Sequence, residues 1–318
     1  MPFRHAAAFA AALVICIAVA GCGAARSDDS PAAPMIIAHR AGAADFPENT
    51  LLAIEGALKN HADAIWLTVQ LTRDGVPVLY RPADLSANTE GQGAVADTDL
   101  ASLERLNAGW RFARIDAAGV TRYPYRETPL RIPTLAQALR AIPPGVPVML
   151  DMKALPAEPQ AAAVARVLNE EAAWTRVLIY STDASYQEAF AAWPQAVLFE
   201  SRDATRARLA AVALEQTCEA PPPPGTWTAF EFERKMELVE TFTLGEARTA
   251  VTAKLWTPDA VRCFGARGKT RIVAIGIDTA EDYRAAACLG IDAVLVDSPS
   301  KMSAVKAALP SSCAAGMS

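Results

Sequence analysis

Eight short runs of almost unbroken apolar residues recur along the chain, and that recurrence limits the fold more than any other feature. They are MIIAHR (35–40), AIWLTVQL (64–71), VPVMLDM (146–152), RVLIYS (176–181), AVLFES (196–201), TAFEFE (228–233), RIVAIGI (271–277) and AVLVDS (293–298). A strand with one buried face alternates apolar and polar residues, whereas near-continuous apolar runs suit a parallel sheet covered on both faces. Helical stretches separate most of them, among them ENTLLAIEGALKN, PTLAQALRAI, QAAAVARVLNE, ATRARLAAVALEQ and AEDYRAAACLG. Eight strand–helix units predict an α/β fold, a (β/α)₈ TIM barrel whose active site forms at the C-terminal ends of the strands. Two segments break the rhythm. TRDGVPVLYRP carries Asp74-Gly75, a hairpin signal, and a two-residue turn there sets Thr68 opposite Arg81 and Gln70 opposite Leu79. Residues 235–257 exceed the needs of a barrel connection and are expected to hold a second hairpin, while EAPPPPGT (219–226) reads as a stiff polyproline-like link.

The N-terminus carries a different message. MPFRH, the apolar stretch AAAFAAALVICIAVA and the small residues of VAGC (19–22) have the form of a secretory signal, too short and alanine-rich for a membrane span. The placement of Cys22 resembles a bacterial lipobox. It implies cleavage after residue 21 and a lipid on Cys22, with Gly23 matching the outer-membrane sorting pattern. The chain is therefore expected to be exported and lipid-anchored, on the outer membrane facing the periplasm. Residues 23–34, GAARSDDSPAAP, read as a flexible stalk behind Cys22, residues 35–310 as one barrel domain and 311–318 as a tail. Loss of Arg4 with the signal leaves 29 basic residues against 35 acidic. A mildly acidic body without a basic run argues against nucleic acid. Cys218, Cys263, Cys288 and Cys313 show no close metal-binding pair; one or two disulfides are open in three pairings of all four, as are buried free thiols. The sequence does not give the oligomeric state.

His39 and Arg40 end the first strand, so the barrel places both at the catalytic face. A histidine alone could be core, but an adjacent arginine argues against a dry site. His61 falls between the first helix and the second strand, at the opposite face, and His5 leaves with the signal. HRAG, PENT, ADAIWLTVQLTRDGVPVLY, LERLNAGWRF, RIPTLAQAL, VMLDMK and GIDAVLVDSPSKM follow in this order from residue 35 to 302. The series resembles the glycerophosphodiester phosphodiesterase family, barrels of the phospholipase-C-like phosphodiesterase type that use calcium or magnesium in lipid metabolism. The resemblance implies two histidines as proton-transfer groups, a divalent cation on the phosphate oxygens, and basic residues to balance charge.

Several of those positions are changed. The family's two strand-two carboxylates fall on Trp66 and Thr68, its second histidine on Arg81, the following aspartate on Pro82, and the later glutamate on Asp151. His39, Arg40, Glu48 and Lys153 match. With one carboxylate left of three, no cofactor is expected, because a hard divalent cation wants several anionic oxygens. Arginine can hold phosphate electrostatically, but it stays protonated where proton transfer needs a titrating group. The favoured expectation is a phosphate or glycerophosphodiester ligand bound through His39, Arg40, Arg81 and Lys153, near Trp66 and Thr68, with weak or no metal-dependent hydrolysis. The alternatives are a metal-independent phosphodiesterase with Arg81 in place of the cation, and a non-catalytic structural or interaction protein whose pocket Trp66 fills.

Overall fold

Each apolar run becomes a strand in the computed structural model, which describes residues 33–309 and Cys313. The export signal, Cys22 and nearly all of the stalk lie outside the described residues. The strands are β1 (Met35–His39), β2 (Ala64–Leu71), β3 (Val148–Met152), β4 (Val177–Tyr180), β5 (Val197–Leu198), β6 (Trp227–Glu231), β7 (Arg271–Ile275) and β8 (Ala293–Val296). All neighbours are parallel, in the order β5-β4-β3-β2-β1-β8-β7-β6. A single parallel bridge between Phe199 and Trp227 joins the two ends, with Glu200 N–H donating to the Trp227 carbonyl at 2.8 Å. This is the (β/α)₈ barrel that the pattern predicts.

A helix follows each strand: α1 (Leu51–Lys59), α2 (Leu135–Ala141), α3 (Ala157–Glu170), α4 (Ser185–Ala189), α5 (Arg202–Ala210), α6 (Pro258–Phe264), α7 (Ala280–Cys288) and α8 (Pro299–Ala307). Most start on a Ser or Thr whose side-chain oxygen accepts a backbone N–H, as Thr50 does from Ala53 and Thr279 from Asp282. Such caps satisfy orphan donors and fix where each chain segment turns away from the barrel mouth. The strands alternate between two apolar layers. Ile37, Trp66, Met149, Tyr180, Phe199 and Leu295 fill the barrel interior, while Ile36, Leu67, Leu150, Ile179 and Val294 face the helices.

The hairpin after β2 departs from the expected register by one residue. Val69 faces Leu79 and Gln70 faces Val78, and Tyr80 N–H donates to the Thr68 carbonyl at 3.1 Å. Thr68 therefore opposes Tyr80, not Arg81. The physical reason is the loop: Thr72 N–H bonds the Val76 carbonyl and Gly75 N–H bonds the Thr72 carbonyl, leaving three residues between. Gly75 sits at φ +79°, the left-handed position of a three-residue hairpin. Residues 80–133 then make an excursion over the barrel mouth, on a small core of Val78, Tyr80, Leu85, Val95, Leu103 and Ile132.

The second expected hairpin is present. Arg234–Phe242 pairs with Gly245–Ala253 in an antiparallel sheet of its own between β6 and α6. All four cysteines of the body are paired, Cys218 with Cys263 and Cys288 with Cys313. The second bridge ties Cys313 to Cys288 at the end of α7. Among the described residues no helix is long and apolar enough to cross a membrane.

Candidate active site

The C-terminal ends of the strands bring together groups remote in sequence. Ala38 is in register with Val296, so the next residues, His39 and Asp297, meet at the mouth. His39 Nδ1 donates to Asp297 Oδ1 at 2.7 Å. On the other side of the ring, Arg40 Nε donates to His39 Nε2 at 3.3 Å. Together the two contacts select the Nδ1–H tautomer and leave the Nε2 lone pair facing a cation. Burial would raise the Asp297 carboxyl, but the hydrogen bond from His39, the charge His39 carries when protonated, and Arg40 nearby outweigh it and hold the group below the usual carboxylate range.

Arg40 is fixed by the turn that follows β1. Arg40 and Ala41 have φ of +49° and +63° and Gly42 +94°, a run of left-handed residues that is strained for the first two. The turn lets the Arg40 carbonyl accept from Asn49 N–H at 2.8 Å, while the guanidinium pairs with Glu48 Oε2. Asn88, from the excursion, donates to Glu48 Oε1 at 3.1 Å.

Asp151, next to last in β3, is in register with Thr68 on one side and Tyr180 on the other. It is 6% exposed, and Lys153 Nζ lies 2.9 Å from its Oδ1. The approach is that of an ion pair; the oxygen has no aligned hydrogen-bond donor. Burial pushes the carboxyl up from the ordinary aspartate range, against the pull of Lys153, His39 and Arg81.

The remaining candidates are less central. Trp66 is in register with His39, 2% exposed, and packed against Tyr180 and Phe199 with ring centroids at 4.8 and 5.9 Å. Thr68 is fully buried. Neither the Trp66 indole nitrogen nor the Thr68 hydroxyl has a hydrogen-bond partner. Both are buried below the ring of charged groups at the mouth, Trp66 within the barrel interior. Arg81 is exposed at the edge, without a hydrogen bond or ion pair among the described residues, yet near enough for its charge to act on Asp151.

Three contributors escape the sequence reading. Asp297 supports the imidazole. Arg202, at the start of α5, donates from Nη2 to both carboxylate oxygens of Glu231 at the end of β6, at 2.5 and 2.6 Å, and from Nη1 to the Tyr180 hydroxyl at 3.3 Å. Asn88 braces Glu48. Barrel closure was the available signal for Asp297, since strand eight must lie beside strand one. The ring is also less positive than a count of lost carboxylates suggests. Arg40, Lys153 and Arg202 each face a carboxylate, and His39 faces Asp297.

The chain matches the glycerophosphoryl diester phosphodiesterase family over residues 39–301. An uncharacterized protein of Mycobacterium tuberculosis (strain CDC 1551 / Oshkosh) is 44% identical over 295 residues, which cover 91% of this chain and 95% of that protein. The crystal structure of the glycerophosphoryl diester phosphodiesterase domain of an uncharacterized M. tuberculosis protein superposes with a TM-score of 0.79 at 44% identity, covering 86% of this chain and 99% of that one. A phosphodiesterase of Oleispira antarctica, solved with the product sn-glycerol-3-phosphate, shares the fold at a TM-score of 0.60 and 22% identity, over 86% and 96% of the two chains. A barrel with this strand order, this His-Arg pair and this match along its length belongs to the glycerophosphoryl diester phosphodiesterase family.

Proposed function

We propose that this chain binds a phosphate monoester or glycerophosphodiester at the barrel mouth without a divalent cation, and hydrolyses diesters weakly or not at all. The supporting observation is the Asp151–Lys153 pair. Of the three positions that carry metal-binding carboxylates in the family resemblance, two hold an indole and a threonine, and the third faces an ammonium group at 2.9 Å. That donor set does not fit a hard divalent cation. Lys153, Arg40 and Arg81 are instead available to phosphoryl oxygens, with Glu48 and Asn88 holding Arg40 in place.

A second reading has its own support. Asp297 orients His39 as carboxylates orient catalytic imidazoles, so His39 Nε2 could take a proton once a ligand draws Arg40 away. This favours slow, metal-independent hydrolysis. We also read the chain as an exported lipoprotein anchored through Cys22, on the signal form of MPFRH and the apolar stretch and the VAGC that ends it.

The test is titration calorimetry with sn-glycerol 3-phosphate, with and without chelator, on wild type and Arg81→Ala. Binding should be chelator-insensitive and weaken about three- to tenfold in the variant, the modest effect expected of an exposed cation. Phosphorus NMR of glycerophosphodiester turnover, with His39→Ala as control, separates the two readings. Absence of binding in wild type would favour a structural protein with a filled pocket.

A further inference from the structure

We propose that the hairpin Arg234–Phe242/Gly245–Ala253 docks the catalytic mouth onto a lipid surface, so that the phosphodiester is presented by acyl-chain lipids rather than from free solution. The proposal rests on the phosphodiester reading for its substrate, but not for its test.

The hairpin leaves β6 directly after Glu231, which belongs to the ring, and Arg234 at its base lies 4.0 Å from Glu231. It is a βα connection, and such connections gather at the catalytic end. Its two strands pair only with each other, and nearly every residue is exposed. An isolated two-stranded ribbon is marginal in water, and its faces differ. Cross-strand register places Met236 with Val251 and Leu238 with Thr249 on the face that also carries Phe242. The opposite face holds Arg248 paired with Glu237 and Glu246. Leu238, Phe242 and the tip residue Leu244 are 54%, 58% and 99% exposed, apolar groups that water disfavours, with Glu240, opposite Ala247, the one carboxylate among them on that face.

Size and charge select the occupant. Nine residues per strand give a face about 30 Å long and 10 Å wide, roughly 300 Å², well short of the ~800 Å² per partner that a stable dimer buries. A bilayer needs no matching surface, since insertion scales with the apolar area buried. The ribbon's cations (Arg234, Lys235, Arg248) equal its anions (Glu237, Glu240, Glu246) in number, so attachment should neither need anionic lipid nor weaken in salt. The VAGC reading places a membrane nearby. Twelve stalk residues span about 40 Å when extended, which supplies proximity, while the hairpin supplies the contact.

The experiment uses the full chain from residue 22 with Cys22→Ser, which removes the tether, in flotation with phosphatidylcholine vesicles at low and high salt. Wild-type sequence should float at both. Phe242→Ser/Leu244→Ser should reduce the bound fraction about tenfold or more. Leu214→Ser, which alters an equally bare leucine elsewhere (83% exposed), should change nothing. Glycerol phosphate affinity and the melting temperature should be unaltered in all three, keeping this result independent of the ring. The proposal is overturned by no flotation, by equal flotation of the double variant, or by binding restricted to anionic vesicles at low salt. A concentration-dependent dimer abolished by the double variant, without vesicle binding, would assign the face to a second copy instead.

Discussion

Removing the lysine amine beside Asp151 should expose how this ring is balanced. Lys153→Met keeps the aliphatic stem but leaves a carboxylate that is 6% exposed without its counter-charge. Losing one partner of a buried pair typically costs about 3–5 kcal/mol. A carboxyl can escape part of that penalty by taking up a proton. From an ordinary aspartate value near 3.9, protonation costs about 4 kcal/mol at pH 7 and about 1.5 kcal/mol at pH 5. The Lys153 side chain is 24% exposed, so water compensates in part, and we expect a loss of about 2–4 kcal/mol at pH 7 and about 1 kcal/mol at pH 5. The sign follows from linkage. Asp151 already has a folded pKa above its unfolded one, so the native state holds the extra proton between the two values and stability falls as pH rises through that window. The variant extends the window towards neutrality. Urea unfolding at pH 5 and pH 7 measures both losses, and adding Asp151→Asn should recover most of the loss at pH 7. A deficit equal at the two pH values, or no recovery in the double variant, would refute the reasoning.

Asp297→Asn should release the His39 tautomer, visible as a change in the long-range ¹⁵N pattern of the imidazole. It should also remove a stability contribution that in wild type is present above about pH 4 and lost as pH falls through the depressed folded pKa of Asp297, so acid unfolding curves should converge at low pH. Replacing Cys218 and Cys263 by alanine opens a link between residues 45 apart and should lower stability by about 4 kcal/mol on loop-closure grounds, read by urea melts under non-reducing conditions. Trp66→Glu, Thr68→Asp and Arg81→His together should produce a calcium-dependent rise in Tm, while each alone should not, because the site acts as a unit. Trp66→Glu alone should lower Tm, since it removes an indole packed on Tyr180 and Phe199.

The barrel was legible because strands buried on both faces leave apolar runs that nothing else in a chain of this length requires. Position within those runs carried His39, Arg40 and Asp151 to the mouth, and the second hairpin announced itself by excess length. Asp74-Gly75 announced a turn but not its size, and one extra loop residue moved Arg81 out of register with Thr68. Such a slip is a matter of backbone conformation at Gly75, which composition does not reveal. Asp297 and the Arg202–Glu231 pair were hidden for another reason. Asp297 matters only once the last strand lies beside the first, 258 residues away, and Arg202 only once the start of its helix reaches across to the end of the next strand. The charge balance at the mouth was hidden in the same way: replaced carboxylates could be counted, but Asp297 and Glu231, arriving from other strands, could not.

The weak junction between β5 and β6 has a consequence for how the barrel yields. Every other junction is a ladder, whereas this one has a bridge at Phe199 and Trp227, so breathing motions should concentrate there. Two fasteners straddle it. At the mouth, Arg202 from the β5 side grips Glu231 from the β6 side; on the outside, Cys218 in the crossover is bonded to Cys263 on α6. The ring and the redox state of the surroundings thus share one mechanical element. In a reducing medium the outer link is lost, which leaves the Arg202–Glu231 salt bridge at the mouth, whose arginine also touches Tyr180. Reducing Cys218–Cys263 should therefore raise amide exchange in β5 and β6 more than in the other strands.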